Sequence, residues 1–134
     1  MASLTPREAL ENTRALIEFQ LSQVEREVKD RECLSKEILD KLQKELDDLL
    51  SAKGHPIKQY DYATGISPFK DQEHIQNLIR SAKANIRAEE KSLWTDIQKL
   101  EWERRQLQRE RAQINFSLKL LDEQSATNHQ KKAR

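Results

Sequence analysis

Seven large aliphatic residues, Ile79, Ile86, Leu93, Leu100, Leu107, Ile114 and Leu121, stand seven positions apart with no Pro or Gly between them. An apolar repeat of seven in a polar background specifies a long helix packed along one seam against another helix. The first fifty residues supply the second helix. Their apolar positions, Leu10, Ile17, Leu21, Val24, Val28, Ile38, Leu42 and Leu49, are spaced around three, four and seven and so share one helical face. The expected fold class is all-α: a long antiparallel helical hairpin, or coiled coil, with dimerisation into a four-helix bundle as its natural extension.

The ends of the helices can be read from capping chemistry. Thr5-Pro6-Arg7-Glu8 places a capping hydroxyl before a Pro suited to the first helical position, with Glu8 where a capping box needs it. Gly54 and Pro56 stop that helix, and Ser67-Pro68 starts the next. The expected organisation is one domain over residues 1–124: arm one about 5–53, a loop over 54–67, and arm two about 68–124. Residues 125–134 have no apolar face and are expected to form a flexible tail. Within arm one, Arg31 and Ser35 interrupt the seam, and Leu39 and Leu46 indicate a shift of heptad phase or a broader contact.

With these boundaries, the numbers of facing residues should add to about 120. Arg31 then meets Glu89 and Glu90, so two polar interruptions coincide. Leu93 and Leu100 should be buried. Residues beyond about 115 should pass the start of arm one. Ile114, Phe116, Leu118, Leu120 and Leu121 would then be an uncovered apolar patch, and residues 112–122 would make a contact outside the hairpin.

Composition narrows the function classes. Charged residues are 35% of the chain and aromatics 5%, the mixture of long exposed helices with a narrow core. The net charge of +1 provides no global field to attract nucleic acid or a membrane. Charge is uneven, however. Residues 1–52 hold 8 Lys/Arg against 12 Asp/Glu, and residues 104–134 hold 8 against 3. The single cysteine, Cys33, excludes a disulfide framework and is expected as an ordinary buried or half-buried thiol. No basic segment followed by an apolar run opens the chain, and no apolar run is long enough to span a bilayer. Membrane insertion and secretion are therefore not expected; the expected location is cytoplasmic, with nuclear and cytoskeletal alternatives.

Catalytic and metal chemistry find no constellation to rest on. His55, His74 and His129 are far apart, and no phosphate-binding glycine loop or nucleophile elbow is present. Neither an enzyme nor a cofactor is expected. Candidate partner-binding residues are a basic run containing Arg104, Arg105 and Arg109, which otherwise reads as a solvated helical face balanced by Glu101, Glu103 and Glu110; the off-seam Trp102, Phe116 and Leu120; and Tyr60 and Tyr62 in a loop that otherwise folds back on its own hairpin. Leu16, Phe19 and Leu34 also lie off the seam. Trp94 adjoins the seam at Leu93, so a broad contact between the arms competes with a partner contact for it. The expected function is non-enzymatic: a coiled-coil structural or interaction protein acting as adaptor, spacer or subunit of a larger assembly. Its partners would be other coiled-coil proteins or a second copy. The alternative is a binder of nucleic acid or of an acidic filament such as a microtubule, using the basic end of arm two; nucleic acid has the weaker case, because no stacking platform accompanies the arginines.

Overall fold

A computed structural model describes the backbone of residues 3–53 and 68–132, and the side chains of 3–52 and 72–127. Two helices make up these residues, α1 (Pro6–Lys53) and α2 (Pro68–Lys132), and the chain is an all-α helical hairpin. The start of α1 follows the capping chemistry. The Glu8 backbone N–H donates to Thr5 Oγ1 at 3.2 Å, and the Ala9 N–H donates to the Thr5 carbonyl at 3.0 Å. The first of these satisfies one of the helix's otherwise orphaned donors, and the second is its first i→i−4 bond. α2 continues to Lys132, past the point expected for its end. No Pro or Gly interrupts 125–132, and Thr127 Oγ1 bonds back to the Glu123 carbonyl at 2.9 Å. An apolar face is not needed to continue a helix that is already nucleated.

Burial along each helix shows a continuous row seven residues apart with a companion row beside it. In α2 every residue of the row from Ile79 to Leu121 is buried or half-buried. Its companions lie three positions past it at Ala82, Glu89 and Asp96, and four positions past it at Ile97, Arg104, Arg111 and Leu118. In α1 the row is Arg14, Leu21, Val28, Ser35, Leu42 and Leu49. The companions change from Ile17, Val24, Arg31 and Ile38 to Leu39 and Leu46. Each helix therefore takes two consecutive four-residue steps once, which is a phase shift of the seam. Glu45 and Glu103, where an unshifted repeat would point inward, are exposed.

The chain divides into two compact units, Met1–Lys29 with Ile97–Arg134, and Asp30–Asp96. In the second unit Leu46, Ile79 and Ala82 form the core, with Leu49, Ile75 and Ile86 packed against it. Fully burying an aliphatic side chain of this size contributes roughly 1.5–3 kcal/mol. Above this cluster, Ser35 is 1% exposed and its Oγ has no hydrogen-bond partner.

Arg31 bridges the two helices of the same unit. Its Nη1 donates to Glu89 Oε1 at 2.8 Å, its Nε to Asp96 Oδ2 at 2.8 Å, and its Nη2 to Ser92 Oγ at 3.4 Å. The hydrogen bonds to Asp96 and then Glu89 push the guanidinium further above its ordinary value. Glu90, the other expected partner, is exposed instead. It neighbours Glu89 and so points about 100° away around the helix.

In the first unit Ile17, Leu21, Val24 and Leu118 are buried. Arg7 pairs with Asp122, and Arg14 Nη1 donates to Asn115 Oδ1 at 3.2 Å. The residue numbers of both pairs add to 129, so α1 meets α2 further along than a sum of about 120 implies. The expected overhang is thereby corrected. The start of α1 runs beside residues 115–122, Leu118 is core, and Ile114 and Leu121 are half-buried. Sliding one helix by about a heptad keeps apolar rows matched, so periodicity alone does not select the register. Leu93 and Leu100 are half-buried rather than enclosed, unlike Ile79 of the same ladder. Cys33, expected to be at least half-buried, is exposed, two positions after Arg31 on α1.

Candidate functional site

The candidate site is built by the second face of α2. Trp102, Arg105, Arg109, Phe116 and Leu120 are all exposed and all belong to the first unit. Trp102, Arg109 and Phe116 are seven apart. Leu120 lies eighteen past Trp102, which is about five complete turns. The five residues form a stripe directed roughly 180° away from the line of Leu100, Arg104, Leu107, Arg111, Ile114 and Leu118. A broadened contact between the helices does not reach them. Trp102 and Phe116 are each 62% exposed and Leu120 43%.

Arg104 departs from its sequence neighbours. The phase shift of α2 puts it in the companion row, four past Leu100, where it is half-buried. Its Nη2 donates to Glu101 Oε2 at 2.5 Å, and its Nε is buried without a partner. Arg104 therefore leaves the candidate site, although it opens the basic run in sequence. Arg105 is left in a different position. The acid one turn before it is Glu101, which Arg104 engages, and one turn after it stands Arg109. Arg109 has Arg105, Gln106, Ala112 and Gln113 at its helical neighbour positions, none of them acidic. Like charges four apart on a helix repel by a few tenths of a kcal/mol. The ion pairs among the described residues involve Arg7, Arg31 and Arg104, not these two.

Large aromatic and Arg side chains are the residue types that carry most of the energy in protein interfaces. Each aromatic buries roughly 150–250 Å² when it is covered. The stripe thus combines two aromatic anchors, an aliphatic one and two uncompensated cations on one rigid face. Tyr60 and Tyr62 lie outside the described residues. Trp94, which the seam at Leu93 was expected to compete for, is 65% exposed in the other unit. Leu16 and Phe19 of α1 are exposed as their off-seam positions imply. Among the described residues there is no cluster of His, Cys, Asp and Glu that could hold a metal, and no helix long and apolar enough to cross a membrane.

A family of unknown function, DUF8104, matches residues 6–124. The chain belongs to the DUF8104 family. The match begins at the first residue of α1 and takes in the seam of both helices and the whole outward stripe. No curated protein matches the chain, and no solved structure does.

Proposed function

We propose that this DUF8104 chain is a non-enzymatic coiled-coil interaction module, an adaptor, spacer or subunit of a larger assembly, that docks a partner protein on the outward stripe of α2. The observation that carries the reading is the placement of Trp102 and Phe116, which are exposed opposite the seam on a helix whose other face is already used. The three- and four-residue steps of the buried rows support a coiled-coil geometry for the helical pair. Large apolar side chains kept in water on a regular helix favour a contact that covers them. A cytoplasmic location agrees with an exposed single thiol.

The test is a Trp102→Glu, Phe116→Glu double variant. It should keep the helix content and melting temperature of the parent, because neither residue is in the seam. It should also lose the proteins that co-purify with the parent chain in a quantitative comparison of the two. A variant that melts far lower, or that retains every associated protein, removes the stripe from the function.

The exposed Arg105 and Arg109 favour a second reading, in which the same end of α2 binds a polyanion, either nucleic acid or an acidic filament. That binding would fall steeply with salt, whereas docking anchored by Trp102 and Phe116 would change little. Dimerisation into a four-helix bundle is supported by the exposed Leu16 and Phe19 of α1. Sedimentation over a range of protein concentrations checks it.

A further inference from the structure

We infer that the occupant of the stripe is an acidic amphipathic helix of another protein, one with apolar side chains for Trp102 and Phe116 and carboxylates between them for Arg105 and Arg109. The inference rests on the interaction-module reading and specifies its partner.

Spacing identifies the partner's conformation. Trp102, Arg105, Arg109, Ala112, Phe116 and Leu120 follow one another by three or four residues and are all exposed. This is a second seam of coiled-coil spacing on the far side of α2, and a helix laid along it meets one residue per half-heptad. Ala112, small and central, leaves room for that helix to approach. An extended strand would present side chains on a two-residue period and match only some of these positions.

Charge identifies its chemistry. Arg105 and Arg109 repel each other, and the only acid three or four positions from either, Glu101, is held by Arg104. Burying them beneath a partner is favourable only if that partner supplies carboxylates. The same pair argues against a second copy on this face. Antiparallel pairing that sets Trp102 against Phe116 of the other copy brings Arg109 onto its own equivalent. Parallel pairing stacks each arginine on itself. A nucleic acid is less well matched, since two arginines neutralise too few phosphates, and Glu101, Glu110 and Glu123 stand on the same helix.

The experiment uses the full chain carrying Trp94→Phe, so that Trp102 is its only indole. Three probes are titrated: a synthetic helix with two leucines set two heptads apart and glutamates between them, its twin with lysines in place of glutamates, and a short DNA duplex. The glutamate helix is expected to move Trp102 emission to shorter wavelength and to bind about tenfold more tightly than the lysine twin. Arg105→Glu with Arg109→Glu should reverse that preference at unchanged helix content. Arg105→Gln with Arg109→Gln should abolish it, which covers the case in which charge reversal disturbs the helix. An unmoved Trp102 emission with both helices, equal binding of the two, or tighter binding of the duplex overturns the inference. Equal binding with a shifted Trp102 emission leaves the interaction-module reading standing and removes only the acidic partner. That reading fails separately, in the comparison of associated proteins.

Discussion

Arg31 occupies a companion-row position that an aliphatic residue would otherwise fill, and α2 compensates with two carboxylates and a hydroxyl. Removing one partner of such a set leaves the others without their charge, so the members should be energetically coupled. Arg31→Glu is expected to lower the melting temperature, and adding Glu89→Arg with Asp96→Arg to restore part of the loss. Strictly additive losses in the thermal melts would show that the groups act independently. Because hydrogen bonding raises the folded guanidinium above its ordinary value, its own titration takes no stability away at any pH below the unfolded value. Its contribution fades only as pH climbs through the folded one. Arg31 therefore adds no pH dependence to stability between pH 6 and pH 9, which melts across that range can check. Ser35 is the opposite case, a buried hydroxyl with no partner. Ser35→Ala should raise stability by about 1 kcal/mol, by removing an unmet hydrogen bond and by improving helix propensity. The pairing of Arg31 with Glu89 was legible because each interrupts an apolar pattern. The choice between Glu89 and Glu90, and the second acceptor Asp96, depended on register and rotation that polarity does not encode.

At the scale of the element, α2 carries a buried seam and an exposed stripe, and residues two apart in its last third have opposite fates. Leu118 is 7% exposed, whereas Leu120 faces water. Leu118→Ala should therefore cost roughly 2–4 kcal/mol in chemical unfolding, and Leu120→Ala less than about 0.5 kcal/mol. Equal losses would mean that the register given by Arg7 with Asp122 and Arg14 with Asn115 is wrong. The sequence made both leucines part of one uncovered patch, because their apolar character is the same and only the facing helix separates them. Arg104 is the companion lesson. It reads as the first residue of a basic run, yet two successive four-residue steps rotate it under the edge of the seam, while Arg105 stays outside. The ladder from Ile79 to Leu121 was readable without any of this, since a period of seven survives a phase shift in the row beside it.

For the whole molecule, the class, both helix starts and the end of α1 were the most legible features, since Pro, Gly and capping residues act locally; the end of α2 at Lys132, which no such residue marks, was not. The far-UV circular dichroism spectrum should be that of a helical chain, and a strong strand contribution would contradict the fold. The stripe was legible in its members but not in its membership. Trp102, Phe116 and Leu120 could be named as off-seam, while Arg104 could be excluded only by its burial. The number of copies in the working assembly is a question for which the chain carries its own reporter. Cys33 is the only thiol and it faces water, so a nitroxide reagent attaches at one place and leaves one unpaired electron per chain. A solitary chain then gives a pulsed dipolar trace without modulation. Any assembly that brings two copies within range produces an echo oscillation, with a depth that counts spins and a period that measures their separation.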